Sequence, residues 1–540
     1  YKVNINKNQH KNGLLREYLV FPLFYDTIRT TSQNCIFRRT AMRGIDTPIR
    51  QIRRRVFEEV ARVAFESDNL NDDIEALPYI IAPSDLPTYH ESIYRERAIV
   101  SERVRLAMGL SLRPDDEPVH LTAGLDASNV AEKYYEPPLM QVIPSACDKC
   151  PDNIYEVSNQ CRGCMAHPCA EVCPKGAISM VKGQSYIDME KCIRCGKCKA
   201  ICPYDAIAKK VRPCSAACGI KAIGTDELGR AKIDDKKCVK CGQCMASCPF
   251  GAIADKSQIF QLIQAMKQGP VYVELAPAVI GQFGADVRLW KIKAALKEVG
   301  FADVYEVALG ADIGASTEAK QYVNEVKSGK KPFLLTSCCP AWSVLAKRTL
   351  PDMVDTVSNA LTPMVATARM IKQRHPEGKI VFAGPCAAKK LEASRTSVRS
   401  DVDFVITFEE LAAIFAAKGI DLETYECEEP IHDATGAGRG YAIAGGVASA
   451  IEQCIEEYYP GTEVYIEHAE GLSECQKILM LAKAGKKDGC LIEGMGCPGG
   501  CVAGVGTNIP IPKATGAVKK FVKDSTTPLP PKEYSKIELP

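Results

Sequence analysis

The stretch "CVKCGQCMASCPFGAI", residues 238–253, places four cysteines in the order C-x2-C-x2-C-x3-C and follows the last with proline. The stretch "CIRCGKCKAICPYDAI", residues 192–207, repeats both the spacing and the ending. Three closely spaced thiolates on one loop can hold three corners of an iron–sulfur cubane, while the cysteine before proline reaches a second cluster. A zinc site more naturally brings two C-x2-C pairs together from separate segments. The two runs therefore predict small α+β, ferredoxin-like modules that bind 4Fe-4S clusters.

Composition places these runs in a large, thiol-rich protein. The chain has 540 residues, a formal net charge of +2 and 26 cysteines. The length allows two to four domains, and the balanced charge argues against nucleic-acid binding. No apolar run is long enough to cross a membrane, and no basic segment followed by an apolar one opens the chain, although its start at Tyr1 leaves a removed leader open. Because cytosolic thiols stay reduced, we read the cysteines as metal ligands rather than disulfides, and we expect a cytoplasmic protein.

The cysteines divide the chain into regions. Residues 1–140 hold only Cys35, residues 147–248 hold sixteen cysteines, and residues 338–501 hold nine. We predict an α-helical N-terminal extension at 1–140, a ferredoxin-like region at 141–256, a further domain at 257–510 and a Pro-rich tail along the surface at 511–540. The charged, helix-periodic stretches of the extension favour packing on the cluster module. Docking of an acidic electron carrier is the alternative.

The sixteen clustered cysteines can be assigned to four 4Fe-4S clusters. A third copy, "CRGCMAHPCAEVCPKGAI" at 161–178, pairs with the copy at 192–207. The stretch "RPCSAACGIKAI" at 212–223 looks like the back half of a fourth copy, whose leading pair is then "CDKC" at 147–150. The predicted sets are Cys161, Cys164, Cys169 with Cys202; Cys192, Cys195, Cys198 with Cys173; Cys238, Cys241, Cys244 with Cys218; and Cys147, Cys150, Cys214 with Cys248. In the alternative, Cys147 and Cys150 are solvent-side thiols and the region holds three clusters.

From residue 257 onward, apolar β-branched runs alternate with amphipathic helical stretches, which is typical of an α/β domain. Here the cysteines lie in three separated motifs, "TSCCPAW" at 336–342, "GPCAAKKLE" at 384–392 and "EGMGCPGGCVAGVG" at 493–506. These motifs, in this order, resemble the active-site signatures of the iron-only, or FeFe, hydrogenases. The resemblance covers about residues 257–510. It implies a multidomain protein in which ferredoxin-like modules precede an α/β catalytic domain.

The resemblance implies an H-cluster, a 4Fe-4S cubane joined through one thiolate to a di-iron subsite bearing CO, cyanide and a bridging dithiolate amine. Matched motif by motif, the cubane ligands would be Cys339, Cys386 and Cys497, and Cys501 would bridge to the di-iron unit. Lys389 would donate a hydrogen bond to a cyanide. Cys338 would stay unligated and pass protons to the amine, since a thiol can both donate and accept a proton.

By the same resemblance, the proton relay would continue through Glu318 and Ser358. Better-known members carry a further glutamate where this chain has Gln321, and an amide does not titrate at working pH. The outer end of the relay is therefore open. Gly384, Gly496 and Val505 also depart from the usual motifs, which is typical of a divergent subgroup. The other cysteines of the domain, Cys427, Cys454, Cys475 and Cys490, are read as buried apolar thiols.

The implied activity is the reversible interconversion of protons and electrons with dihydrogen. We expect a monomeric, ferredoxin-dependent enzyme that exchanges electrons with ferredoxin or a similar one-electron carrier and needs hydrogenase maturation proteins for di-iron insertion. A hydrogen sensor with slow turnover is the alternative. A non-catalytic iron–sulfur assembly relative is disfavoured, because such proteins are expected to lack parts of the di-iron site, and this chain keeps Cys338, Lys389 and all four ligands.

Overall fold

The computed structural model describes residues 47–398, 401–425, 434–537 and 539. Cys35 and Cys427 lie outside these residues. Among the residues described, no helix combines the length and the apolar character needed to cross a membrane. The described chain runs through N-terminal helices, two cluster units and a region with two parallel sheets.

Four helices form the described part of the N-terminal extension: α1 (Pro48–Glu66), α2 (Leu70–Ile81), α3 (Ile93–Ala107) and α4 (Leu125–Ser128). The apolar face of α1, which includes Val56 and Val60, shares a hydrophobic core with Phe260 and Phe415 of the catalytic region. The extension also reaches the cluster region at Gly251, where the Arg103 guanidinium of α3 donates to the Gly251 carbonyl and Ile49 of α1 lies beside the glycine. The extension therefore packs mainly on the catalytic region, because its helix periodicity predicts an apolar face but not the partner of that face.

The basic side chains of the extension make internal contacts. Arg53 pairs with Glu409 of the catalytic region at 2.6 Å. Arg55 and Arg62 both contact Glu59 on their own helix, and Arg105 donates to the carbonyls of Leu121 and Ala123. These contacts favour the packing role over a carrier-docking role, since paired and buried charges attract a partner weakly.

The cluster region contains two units with the same plan, each built from two antiparallel strand pairs and two short helices. One unit contains β2 (Ile154–Val157), β3 (Ile178–Val181), β4 (Gln184–Ile187) and β5 (Ile207–Lys210) with α5 (Pro168–Glu171) and α6 (Lys197–Ile201). The other contains β1 (Met140–Val142), β6 (Ile223–Thr225), β7 (Ala231–Ile233) and β8 (Ile253–Asp255) with α7 (Pro213–Ala216) and α8 (Gln243–Ser247). The first unit is inserted within the second, which places the 147–150 stretch next to the 212–255 segment.

Two parallel sheets form the frame of the catalytic region. The first has the order β10-β9-β12-β13 and contains β9 (Val271–Leu275), β10 (Asp303–Glu306), β12 (Lys379–Gly384) and β13 (Phe404–Thr407). The second has the order β11-β15-β14 and contains β11 (Leu334–Leu335), β14 (Tyr465–Glu470) and β15 (Cys490–Met495). Strands such as "KIVFAG" read as continuous apolar runs because helices cover both faces of a parallel sheet.

Eleven helices accompany these sheets in the described residues. They are α9 (Ile259–Gln268), α10 (Leu289–Val299), α11 (Ala308–Gln321), α12 (Pro340–Thr349), α13 (Pro363–Arg374), α14 (Ala388–Ala393), α15 (Phe408–Ala417), α16 (Gly436–Gly440), α17 (Gly446–Tyr458), α18 (Leu472–Lys483) and α19 (Ile511–Lys523). The last of them opens the segment expected to be a surface tail, and its Phe521 ring packs under the Arg439 guanidinium at 4.2 Å. This segment thus begins with a packed helix before its Pro-rich end.

Candidate active site

Residues at the carboxyl ends of five parallel strands line one cavity. Ala276 and Ala278 follow β9, Val307 follows β10, Cys338 follows β11, Pro385 and Cys386 follow β12, and Met495 ends β15. Most of the cavity lining is apolar. Ligands of α/β proteins usually bind at this end of the strands, because loops of several strands converge there. The polar groups in the cavity wall are therefore candidates for chemistry.

The four cysteines predicted to hold the H-cluster converge at this cavity from separate parts of the chain. Cys339 precedes α12, Cys386 lies between β12 and α14, Cys497 follows β15, and Cys501 opens a short helical turn at 501–503. Cys339, Cys386 and Cys501 line the cavity. Burial, together with the neighbouring thiols, raises the pKa of Cys386 to about 11 and that of Cys501 to about 12. Buried sulfur atoms grouped in this way suit a metal cluster, which stabilises their thiolate forms.

Cys497 faces the second cluster unit. Its Sγ accepts a hydrogen bond from the Gln243 Nε2 at 3.3 Å, and Cys241 is among the thiols that raise its pKa after burial. The C-x2-C loop of residues 238–241 thus lies against the predicted cubane ligands. Val505 packs on Gly242, the residue directly after that loop. A β-carbon at Gly242 would lie only 2.7 Å from the Val505 Cγ2. The valine that interrupts the expected glycine triplet therefore contacts the cluster loop.

Cys338 and Lys389 lie in the cavity wall close to the predicted ligands. The Lys389 Nζ is 3.5 Å from the Cys338 carbonyl oxygen and donates to the Glu392 carboxylate at 2.7 Å. Burial disfavours the ammonium charge, but Glu392, Cys386 and Cys338 together outweigh burial and raise the pKa of Lys389. The lysine is therefore a cation held beside the cavity, as expected for a hydrogen-bond donor to an anionic group.

Glu318, Ser358 and Gln321 form a hydrogen-bonded chain that leads away from Cys338. The Glu318 carboxylate accepts from the backbone N–H and hydroxyl of Ser337 at 3.0 and 3.2 Å. Burial raises the pKa of Glu318 to about 7, and hydrogen bonding with Ser358 and Ser337 limits that rise. The Ser358 hydroxyl donates to the Gln321 Oε1 at 3.0 Å. The structure therefore brings together all the side chains predicted for the relay.

One further carboxylate extends this chain toward solvent. The Gln321 Nε2 donates to the Glu325 Oε2 at 3.0 Å, and Glu325 pairs with Lys331 at 2.6 Å with 28 % of its side chain exposed. Glu325 was missed from the sequence, although its i,i+4 spacing from Gln321 was the available signal. A single π-helical turn spans Tyr322–Val326 at this point, and such turns often accompany functional sites.

The predicted cluster loops share one backbone conformation, including the loop whose role was open. The third residue of each C-x2-C stretch has a positive φ, with values of 55° at Gly163, 58° at Arg194, 60° at Lys240 and 53° at Lys149. Positive φ is uncommon outside glycine, so three basic residues in this conformation indicate a loop shape imposed by its surroundings. The "CDKC" stretch at 147–150 therefore matches the recognised cluster loops.

The turns after the fourth cysteines also match. Three residues past Cys173, Cys202, Cys218 and Cys248, φ is again positive, at 56°, 47°, 53° and 59°. The Sγ of Cys161 accepts from the Ser185 N–H at 3.4 Å, and the Sγ of Cys147 accepts from the equivalent Ala231 N–H at 3.5 Å. Cys147 thus occupies in one unit the place that Cys161 occupies in the other.

Electrostatic contacts among the thiols follow the predicted sets. Burial is the first cause of the raised pKa of Cys214, to about 11, followed by Cys248, with Cys147 a smaller contributor. The raised pKa of Cys244 has burial as its first cause, followed by Cys241, Cys238 and Cys218 of its own set and then by Cys214 of the neighbouring set. Within the described residues, no three His, Cys, Asp or Glu side chains converge on a single ion. The ligands of a 4Fe-4S cluster bind different iron atoms and need not do so.

Comparisons with known proteins agree with these sites. Residues 269–505 match the model of the iron-only hydrogenase large subunit, C-terminal domain, and residues 185–208 and 231–254 match the 4Fe-4S binding domain. Within residues 269–505, the chain belongs to the iron-only hydrogenase family. The α/β catalytic domain and the ferredoxin-like modules agree with the fold class expected from the sequence, and the 4Fe-4S matches identify an iron–sulfur protein.

Three relatives show how far the similarity extends. NADP-reducing hydrogenase subunit HndD of Solidesulfovibrio fructosivorans is 29 % identical over 59 % of this chain and 63 % of its own length. Iron hydrogenase 1 of Clostridium pasteurianum is 29 % identical over 44 % of this chain and 50 % of its own length. Cytosolic Fe-S cluster assembly factor NAR1 of Kluyveromyces lactis is 35 % identical over 18 % of this chain and 20 % of its own length. The alignments to the two hydrogenases thus span about half to three fifths of those relatives.

Two unusual glycines of this hydrogenase-family chain have a packing reason. A β-carbon at Gly384 would lie 2.4 Å from the Phe382 ring, and Phe382 itself lines the cavity. A β-carbon at Gly496 would lie 3.0 Å from the Ala341 side chain, and the Gly496 N–H donates to the Cys339 Sγ at 3.4 Å. Neighbouring side chains therefore occupy the space that larger residues would need.

The three described cysteines without a predicted ligand role differ in exposure. Cys454 and Cys475 are buried, and the Cys475 thiol contacts the carbonyl oxygens of Ala469 and Met495. Cys490 is only partly buried at the start of β15, so the expectation of a buried thiol is met at two of the three positions.

Proposed function

We propose that this protein catalyses the reversible interconversion of protons and electrons with dihydrogen at an H-cluster. The observation that carries the proposal is one cavity lined by Cys338, Lys389 and three of the predicted ligands, with the fourth, Cys497, close to the thiols of Cys386 and Cys339. When bound, the di-iron subsite supplies the chemistry of dihydrogen formation and cleavage. Cys339, Cys386 and Cys497 hold the cubane, and Cys501 joins it to the di-iron unit.

The chain's own residues exclude water, hold charge and move protons. The apolar lining, which includes Phe382, Met364 and Met495, excludes bulk water from the cavity. Lys389 donates to an anionic ligand of the cofactor, and its own charge is maintained by Glu392. Cys338 passes protons between the cavity and Glu318. From Glu318, they reach the surface through Ser358 and then Glu325.

The glutamine in this route orders the path without itself changing protonation. Gln321 accepts from Ser358 with its oxygen and donates to Glu325 with its nitrogen. An amide in this position fixes the separation of two groups that can exchange protons, and water beside it carries the proton between them. Glu325 is therefore proposed as the carboxylate at the solvent end of the route.

Infrared spectroscopy on anaerobically matured protein tests the proposed function. We expect CO and cyanide stretching bands, together with hydrogen evolution driven by reduced viologen. Bands with only slow turnover would favour the hydrogen-sensor alternative. Complete absence of the bands after co-production with hydrogenase maturation proteins, which we propose as the partners for di-iron insertion, would contradict the assignment of an H-cluster.

Four accessory 4Fe-4S clusters are proposed as the electron route to the cubane. Cys238, Cys241, Cys244 and Cys218 hold the cluster nearest Cys497, and Cys147, Cys150, Cys214 and Cys248 hold the next. The backbone match of Lys149 to Arg194 and Lys240 supports this fourth set. The density of free thiols supports a reducing, cytoplasmic location for the protein as part of the same proposal.

Iron content distinguishes four accessory clusters from three. Four cubanes, the active-site cubane and two further irons predict about 22 iron atoms per chain, against about 18 for three accessory clusters. We expect Cys150→Ser to remove roughly four irons or to convert one cluster to a three-iron form visible by electron paramagnetic resonance. The matched control is Cys490→Ser, which changes a partly exposed thiol outside the predicted sets. Equal iron content and unchanged spectra in both variants would leave the three-cluster alternative.

An acidic one-electron carrier of the ferredoxin type is proposed as the electron partner. Residues 191–199 hold four basic residues and no acidic one, and Cys195 in this loop is exposed. Apolar side chains beside it are exposed as well, including Ile193 at 55 % and Tyr204 at 49 %. A solvent-facing cluster with a basic rim and an apolar centre suits an acidic redox protein, since complementary charge speeds encounter.

Charge reversal at this loop tests the docking surface. We expect Lys197→Glu with Lys199→Glu to raise the KM for reduced ferredoxin roughly tenfold at low salt, because steering of an acidic carrier is lost. Turnover with a small viologen should be unchanged, because it needs no docking surface. The control reverses Lys519 and Lys520 on α19, which are exposed far along the chain from the loop. A similar rise in the KM for ferredoxin in both double variants would contradict docking at this loop.

A further inference from the structure

The Tyr441 hydroxyl is a buried polar group at the active-site cavity. Tyr441 follows α16, lines the cavity together with Cys338 and Lys389, and is only 6 % exposed. Among the described residues, its hydroxyl has no hydrogen-bond partner. Buried hydroxyls are nearly always paired, so an exception beside a cavity indicates that the partner is the cavity's occupant.

The surroundings of the hydroxyl explain why it has no protein partner. It lies 3.8 Å from the position that a β-carbon on Gly314 would occupy, one helical turn before Glu318. Apolar side chains, among them Ala311, Ala442 and Met495, make up most of the cavity lining that Tyr441 shares. Burial, followed by the charges of Glu318 and Cys338, raises the pKa of Tyr441 well above its usual value. The hydroxyl therefore keeps its proton and can donate it in a hydrogen bond.

We propose that the Tyr441 hydroxyl donates a hydrogen bond to a polar ligand of the cofactor bound in this cavity. Cyanide and carbonyl ligands present acceptor atoms in a mostly apolar wall, and Lys389 and Tyr441 carry the side-chain N–H and O–H donors among the described residues that line it. Tyr441 is thus a cofactor-binding residue that no cysteine motif identifies. The proposal rests on the proposed H-cluster and adds a specific contact to it.

The same substitution at two tyrosines tests this contact. Tyr322 belongs to the same hydrophobic cluster as Tyr441, but its hydroxyl donates to the Gly489 carbonyl at 2.7 Å and does not line the cavity. In protein matured with the di-iron subsite, we expect Tyr441→Phe to shift at least one CO or cyanide band and Tyr322→Phe to shift none. A hydrogen bond to a metal-bound ligand changes its stretching frequency, whereas a distant structural change does not.

Thermal unfolding of protein produced without maturation provides a second measurement. Without the di-iron subsite, we expect Tyr441→Phe to have a Tm at least equal to that of the unsubstituted protein, because the lost hydroxyl had no partner. Tyr322→Phe should lower the Tm, because it leaves the Gly489 carbonyl unpaired. Coincident infrared bands in Tyr441→Phe and the unsubstituted protein would overturn the proposal. So would a Tm loss in Tyr441→Phe as large as that of Tyr322→Phe. Absence of bands from the unsubstituted protein would instead contradict the proposed function itself, and this proposal with it.

Discussion

Replacing Cys338 with alanine is expected to leave every iron in place and to lower hydrogen turnover by about 10²-fold to 10⁴-fold. Cys338 lines the cavity, but the predicted ligand set is complete without it. The substitution removes a group that can donate and accept a proton, while the neighbouring Cys339 keeps its place before α12. Infrared bands and iron content should therefore match those of the unsubstituted protein, measured on the same preparation as turnover.

Two further cysteine variants make this result specific. Cys501→Ala should lose the di-iron bands, because it removes the proposed bridge to the subsite. Cys475→Ala removes another buried thiol of the same region, whose contacts are to two backbone carbonyls. It should cost on the order of 1 kcal/mol of stability and keep turnover. Loss of the infrared bands in Cys338→Ala as complete as in Cys501→Ala would contradict the separation of relay and ligand.

Local spacing accounts for the features that could be predicted from the sequence. The runs at 192–207 and 238–253 were readable because all four cysteines of each run lie on one short loop and turn. The place of Cys147 was harder to assign, because an inserted unit separates it from Cys214 and Cys248. The hydrogen bond from the Ala231 N–H to Cys147 and the φ of Lys149 support the proposed place of Cys147, and neither is visible in the sequence. Local patterns thus predicted the elements and most of the candidate ligands.

Contacts between distant segments could not be predicted from one sequence. The amphipathic face of α1 was visible, but the burial of that face against Phe415 depends on packing across about 350 residues of chain. The contact of Gln243 with Cys497 and the unpaired hydroxyl of Tyr441 depend on the same kind of long-range placement. Neither residue type has a spacing rule that would single it out. The structure was therefore needed to connect the cluster unit to the cavity and to find a further donor within it.

Glu318→Gln is expected to lower turnover by about 10²-fold or more and to remove a pH dependence centred near the pKa of Glu318. Burial raises that pKa to about 7, so the carboxyl is neutral below this value and charged above it. Hydrogen evolution needs protons to arrive through a protonated Glu318, so it should fall in the unsubstituted protein as pH rises through 7. In Glu318→Gln, the residual rate should lack this step. A persistent step near pH 7 in the variant would assign the titration to another group.

The pH dependence of the stability of Glu318→Gln tests the raised pKa of Glu318 independently of turnover. Because the folded-state pKa of Glu318 lies above the ordinary value of 4.5, the folded protein holds a proton that the unfolded chain releases between about pH 4.5 and 7. Stability therefore falls as pH rises through this interval, by an amount on the order of 3 kcal/mol. Glutamine does not titrate, so Glu318→Gln should not lose stability over this pH interval. At pH 8 the variant should therefore compare more favourably with the unsubstituted protein than at pH 5, and it should even be the more stable of the two if the substitution costs little at pH 5. Unfolding midpoints at pH 5 and pH 8 measure this difference.

The outer end of the proton route should respond to a rescue. Glu325→Gln is expected to lower turnover several-fold, because it removes the last titratable group of the route. Adding Gln321→Glu to that variant should restore the rate, because it places a carboxylate within reach of the Ser358 hydroxyl, which now donates to the amide oxygen at 3.0 Å. Lys331→Met is the matched control: it breaks the same ion pair with Glu325 but leaves the carboxylate in place. If Lys331→Met slows turnover as much as Glu325→Gln, then the ion pair rather than proton transfer explains the loss, and protons enter by another path.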